Sequence, residues 1–130
     1  MPAYNFQEPF VPLILSGLKR TTIRRTAVEP GKPAHLFTGL RTAQCRRLGK
    51  SEVVQCAPIV IGRKDNGGPD IKLRERKLSL FDADILAQQD GFIDAADMVK
   101  WFEKTYKLQV NVSGCAQTIF SGYLIEWAPL

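Results

Sequence analysis

Ser16-Gly17-Leu18-Lys19-Arg20-Thr21-Thr22-Ile23-Arg24 marks a change from helical to extended chain. Upstream, Pro9 and Pro12 suit the first turn of a helix, where a missing N–H costs little. Phe10, Leu13, Ile14 and Leu18 recur at helical spacing. Gly17 stands where a helix end favours a left-handed residue, so the pattern predicts a short helix over Pro9 to Ser16. Thr21 to Arg25 is short and β-branched, the pattern of a strand. The junction holds Lys19 and Thr22 close together and sets Arg24 one alternation further along. An ammonium, a hydroxyl and a guanidinium converging there can bind a phosphate or polarise a carbonyl. The same residue types also suit a solvated basic turn with an edge threonine.

Downstream, Glu29-Pro30-Gly31-Lys32 is a turn signal. Ala34 to Thr38, Ala43 to Leu48 and Glu52 to Ile61 read as strands, with Gly39 and Gly49-Lys50 at the corners. Asp65 to Asp70, with two glycines and a proline, reads as a loop, and Ile71 to Lys77 as a half-exposed strand. Helical signals return over Asp82 to Gln89, closed by Gly91. Asp94 and Asp97 form a capping arrangement for a helix to about Tyr106 that buries Met98, Phe102 and Trp101. Thr118 to Trp127 is an apolar, β-rich closing strand. Short strands with helices at two places and no β-α-β alternation predict an α+β fold. The expected form is a mixed or antiparallel β-barrel with a short N-terminal helix and two further helices at its edge. The 130 residues read as one domain, long enough to bury about two-thirds of the surface of the unfolded chain.

The net charge is +5, but its distribution is more telling. From Lys19 to Lys50 nine Lys and Arg stand against one acid, and from Asp82 to Glu103 six acids stand against one base. Such separation makes one face electropositive and attractive to polyanions. Arg41, Arg46 and Arg47 flank a strand in the basic half, which suits phosphate contacts along a groove. Arg63 and Lys64 open the glycine-rich loop as a mobile basic rim. Cys45, Cys56 and Cys115 are odd in number and lack C-x-x-C spacing, which fits reduced thiols and a cytoplasmic protein. His35 is the sole histidine, so neither a structural zinc nor a histidine-based triad is expected. The first residues carry no signal peptide pattern and no apolar run spans a membrane.

The order of motifs resembles ASCH domains, a superfamily related to PUA domains. Gly17-x-Lys19-x-x-Thr22-x-Arg24, after a helix bearing Phe10, Ile14 and Leu15, is similar to the family's G-x-K-x-x-T-x-R signature. Pro30-Gly31-Lys32 takes the place of its P-G-D turn. Ala87-Gln88-Gln89-Asp90-Gly91-Phe92 resembles its A-x-E-(D/E)-G-F segment, and Phe120 to Trp127 its closing strand. The resemblance extends over nearly the whole chain. It implies a PUA-like barrel whose cleft, lined by the signature segment, takes RNA or a nucleotide.

The resemblance also implies two activities found in small stand-alone members. One is hydrolysis of cytidine acylated on its exocyclic amine, by a lysine, threonine and acid that map here onto Lys19, Thr22 and Asp90. The other is cleavage of single-stranded RNA, near which Ser121 and Tyr123 of the closing strand would offer hydroxyls. A threonine oxygen attacks well only when a base takes its proton, and a lysine is a base only when its pKa is lowered; Arg20, Arg24 and Arg25 are placed to lower it. Asp90 is one methylene shorter than the glutamate expected at its position, and about 1 Å of displacement costs about a hundredfold in rate. The leading expectation is RNA or nucleotide binding through Lys19, Arg20, Thr22, Arg24, Arg41, Arg46, Arg47, Ser121 and Tyr123. Hydrolase activity comes next and a protein-interaction adaptor third. No cofactor is expected, except a divalent metal if the chain is a ribonuclease.

Overall fold

A computed structural model of the chain describes residues 3–106 and 117–130. The elements are β1 (Ala3–Phe6), a 3-10 turn (Glu8–Phe10), α1 (Val11–Leu15), β2 (Thr21–Arg24), β3 (Pro33–Thr38), β4 (Arg46–Arg63), β5 (Pro69–Leu73), β6 (Arg76–Lys77), α2 (Leu80–Gln89), α3 (Ala95–Tyr106) and β7 (Gln117–Trp127). The result is a mixed α+β fold: a seven-stranded sheet with three α-helices among the described residues. Among the described residues its hydrogen-bond ladder does not close into a ring. β1 pairs in parallel with β3, and the remaining pairings are antiparallel.

The ladder branches at β4. Residues Arg46–Glu52 pair with β3, and Val53–Arg63 pair with β7. Ile59–Arg63 also carry β5 on the other edge. β4 therefore replaces the two strands expected over Ala43 to Leu48 and Glu52 to Ile61. Gly49 is not a corner; a Cβ there would lie 3.1 Å from the Leu130 side chain. The glycine makes room for the end of the chain, and the strand runs on through it.

The strand expected over Ile71 to Lys77 is instead a hairpin. Arg74 and Glu75 adopt φ of 52° and 68°, the left-handed pair that a two-residue antiparallel turn requires. Two non-glycine residues hid that turn from sequence reading. β1 also lay outside the expected elements, since four residues give only two alternations. α2 begins at Leu80, two residues before the expected Asp82, because Ser79 caps it by accepting from Asp82 N at 3.1 Å. The expected cap of α3 is present: Asp94 Oδ1 accepts from Asp97 N at 2.8 Å, and Asp97 Oδ2 accepts from Ile93 N at 3.0 Å.

Two apolar clusters hold the sheet and helices together. In the first, Ala95, Met98, Val99 and Phe102 form one helical stripe of α3 against Ile59, Ile61, Ile71 and Phe120. In the second, Tyr4, Phe6, Ile14, Leu36, Val53, Ile125 and Trp127 pack around the N-terminal half. Each large side chain fully buried contributes about 1.5–3 kcal/mol. Between the clusters, the α1–β2 junction and the α2–α3 loop face each other.

Candidate functional site

The α1–β2 junction is fixed by its backbone. Ser16 N donates to Pro12 O at 3.0 Å and Gly17 N to Ile14 O at 3.2 Å, with Gly17 at φ 84°. Lys19 N then returns to Leu13 O at 3.0 Å, and Trp127 N donates to Arg20 O at 3.0 Å. These bonds turn Lys19 inward and leave Arg20 exposed. On β2, Thr22 and Arg24 share a face, as residues two apart in a strand do.

The end of α2 supplies the acid. Gly91, at φ 102°, and Phe92 donate to Gln88 O and Ala87 O at 3.1 and 2.9 Å, the two bonds of a Schellman motif. This closure turns both the carbonyl and the carboxylate of Asp90 toward Lys19. Lys19 Nζ donates to Asp90 O at 2.5 Å, to Thr21 O at 2.7 Å and to Asp90 Oδ1 at 3.1 Å. Its three protons thus meet three acceptors. Thr21 Oγ1 donates to the same Oδ1 at 2.7 Å. The Lys19 and Asp90 side chains are only 4% and 5% exposed, so the pair lies in a low-dielectric setting where removing one member is costly.

That burial dominates the titration of both groups. It pushes the Lys19 ammonium below its ordinary range; the Asp90 charge and hydrogen bond oppose this, and the Arg24 charge adds to it. It pushes the Asp90 carboxyl above its ordinary range, against the Lys19 charge and the hydrogen bonds from Thr21 and Lys19. The lysine is drawn toward its neutral form and the acid toward its protonated form. Such a pairing is suited to proton transfer.

The pair opens onto a cavity of about 240 Å³. Its polar side includes Asn5, Lys19, Thr22, Arg24 and Asp90, and its apolar walls include Phe6, Phe10, Phe92, Trp101 and Tyr106. Lys19 Nζ lies 5.1 and 5.6 Å from the Phe10 and Phe6 ring centres, within cation–π range. Arg24 Nε donates to Thr22 Oγ1 at 3.0 Å and its Nη2 to Asn5 O at 2.8 Å.

Lys19, Thr22, Arg24 and Asp90, singled out in the sequence, therefore line one concavity. The shorter acid reaches the lysine because the loop brings its backbone in as well. The pairing differs from the expected one: Lys19 hydrogen-bonds to Thr21 and Asp90, while Thr22 is held by Arg24. Arg20, Arg41, Arg46 and Arg47 are exposed and do not line the cavity. Arg41 nevertheless lies beside its rim, since Leu40 N donates to Oδ1 of the cavity residue Asn5 at 2.9 Å. Ser121 is exposed on β7, and half-buried Tyr123 is the register partner of Arg24; neither lines the cavity. Arg63, expected on a mobile rim, is held by Glu103 through bonds of 2.5 and 3.0 Å.

Sequence reading missed the aromatic walls. Trp101, expected to serve helix docking, is half-buried and faces the cavity beside Phe92 and Tyr106. Phe6 and Asn5 arrive on the unrecognised β1. The i, i+4 spacing of Phe102 and Tyr106, with Trp101 beside them, is a signal that could have found the part of the wall that α3 supplies.

Among the described residues no three His, Cys, Asp or Glu side chains group as metal ligands, and no helix is long and apolar enough to cross a membrane. Cys45 is exposed and Cys56 half-buried, both as free thiols; Cys115 lies outside the described residues. Comparison with protein-family models, with curated proteins and with solved structures finds no match for this chain.

Proposed function

We propose that the cavity receives a single nucleobase, and that the chain is an ASCH-like, PUA-related domain that binds RNA or an RNA-derived nucleoside in the cytoplasm. The observation that carries this reading is the meeting of aromatic walls with Lys19, Asp90, Thr22 and Arg24 in one cavity. Its volume, about 240 Å³, is below the roughly 300–1,000 Å³ typical of drug-sized ligands and suits one planar ring. Unstacked bases are recognised by aromatic faces together with edge hydrogen bonds. Exposed Arg41 beside the Asn5 rim, with Arg46 and Arg47 on β4 across β3 from it, would supply phosphate contacts for a longer strand. On this reading the branched sheet is the open form of a PUA-like barrel.

Titration of the intrinsic fluorescence with cytidine, uridine, adenosine and guanosine tests the reading, because Trp101 stands in the wall. Saturable quenching by at least one nucleoside, lost in Trp101→Leu and Lys19→Ala, is the expected result. A signal indifferent to all four would remove it.

The opposed shifts of Lys19 and Asp90 favour one second reading, hydrolysis of cytidine acylated on its exocyclic amine. Thr22 Oγ would form the new bond to the acyl carbon as the carbon–nitrogen bond breaks. Transfer of a proton from Lys19 Nζ to Asp90 Oδ1, 3.1 Å away, would free Lys19 to accept the threonine proton and arm Asp90 to supply one to the departing amine. Water would then release the acyl group from Thr22 and restore both protonation states. Release of cytidine from an acylated substrate by the wild type, absent in Lys19→Ala, would establish it.

A further inference from the structure

Arg24 faces two spaces. Besides lining the nucleobase cavity, it lines a second groove of about 400 Å³ on its other side, with Tyr4, Arg25, Thr26 and Val28. The side chain is immobilised there. Thr22 Oγ1 and Asn5 O hold its Nε and one Nη, and its Cζ lies 5.2 and 5.6 Å from the ring centres of Phe6 and Tyr4.

A guanidinium carries five N–H groups, so three remain beyond those two bonds. The carboxylate pairs among the described residues are Lys19 with Asp90 and Arg63 with Glu103; neither involves Arg24. Arg25, beside it, sets its Cζ 4.9 Å from the ring centre of Tyr106, itself a cavity wall. Among the described residues, no acidic side chain lines the groove. A held, half-buried cation whose charge is felt by Asp90 across the cavity but which bonds no carboxylate among the described residues, with donors to spare, is suited to an anion, and its fork matches phosphate oxygens.

We infer that the cavity and the groove are consecutive subsites for one strand, with Arg24 between them binding the phosphodiester that joins two nucleotides. The inference rests on the nucleobase reading of the cavity. It adds that the preferred ligand is a phosphodiester-linked dinucleotide unit within a strand rather than a free nucleoside. One nucleotide enters the aromatic cavity, its neighbour lies along Tyr4 and Val28, and Arg25 adds a second positive charge at the linkage.

The test compares a nucleoside, its monophosphate and the corresponding dinucleoside monophosphates, with ribose and with deoxyribose, by calorimetry on the full chain. The wild type is expected to bind a dinucleotide at least tenfold more tightly than the nucleoside. Thr26→Glu alters an exposed groove residue and adds a charge that repels phosphate. It is expected to abolish that tenfold gain while leaving nucleoside affinity unchanged. Arg24→Lys, which keeps the charge but loses the fork, is expected to lose most of the gain. Dinucleotide and nucleoside binding equally would overturn the inference and leave the cavity reading standing. Absence of binding by any of these ligands would overturn both. A gain confined to ribose, or shared by both sugars, supports the two-subsite arrangement and identifies the strand.

Discussion

Thr21 Oγ1 lies 2.7 Å from Asp90 Oδ1, the same oxygen that Lys19 Nζ approaches at 3.1 Å. One carboxylate oxygen thus receives a hydroxyl and an ammonium from the β2 entrance. Asp90→Ala removes that acceptor and leaves a buried lysine without its acid, so a loss of about 3–5 kcal/mol is expected. Asp90→Asn, which keeps an oxygen in place, is expected to lose less. Urea unfolding measures both, and an alanine variant within 1 kcal/mol of wild type (about the worth of an exposed pair) would mean the pair is not buried.

A second expectation concerns Gly91. Its φ is 102°, and a Cβ there would stand 2.9 Å from Phe10 Cδ1 and 3.3 Å from Leu13 Cδ1. Gly91→Ala therefore meets a left-handed backbone and an occupied space together. Overpacking of this kind costs about 1–3 kcal/mol, and the same shift displaces a cavity wall. A lower melting temperature with weaker nucleoside quenching is expected; an unchanged melting curve would contradict it.

The Arg63–Glu103 pair gives a pH dependence of defined sign. The hydrogen bond from Arg63 holds the Glu103 carboxyl below its ordinary value of 4.5, with the Arg63 and Lys100 charges acting the same way and burial opposing. A depressed folded pKa means stabilisation fully present above 4.5 and lost as pH falls through the folded value. The Glu103 side chain is 38% exposed, so solvent screens the pair and Glu103→Gln should cost under about 1 kcal/mol at neutral pH. The difference from wild type is expected to vanish in acid, as thermal melts across the range would reveal.

Strand binding carries its own signature in salt. For single strands the slope of log affinity against log salt is about 0.7 per phosphate neutralised. Replacing Arg41, Arg46 and Arg47 by glutamine is expected to flatten that slope for an oligonucleotide, by about 0.7 for each phosphate no longer neutralised. Nucleoside quenching should be unaffected, because none of the three lines the cavity. An unaltered slope would exclude this arm from the binding path.

The polar half of the site was legible in the sequence because it sits at punctuation. Gly17 and Gly91 end two helices, and Lys19 and Asp90 lie beside those ends, so chain geometry alone turned them together. The apolar half was not legible. Phe6, Phe10, Phe92 and Trp101 come from separate elements, and β1 is too short for its alternation to register. β4 runs on through Gly49 by its pairing with Leu36 of β3, and the Arg74-Glu75 turn uses non-glycine residues at positive φ. Neither signal exists in local sequence. Lys19 bonds the Thr21 carbonyl rather than the Thr22 hydroxyl, a backbone contact that side-chain spacing does not reveal.

The branching of the ladder at β4 bears on how the molecule comes apart. Val53 belongs to one apolar cluster and Ile59 and Ile61 to the other, so a single run of backbone is a structural member of both. Loss of either cluster strips its neighbour of a shared support, which leaves no half able to persist alone. Denaturation is accordingly expected to be one concerted event, with the amide protons of Ile59 to Ile61, flanked by both β5 and β7, exchanging with solvent only when the entire chain opens.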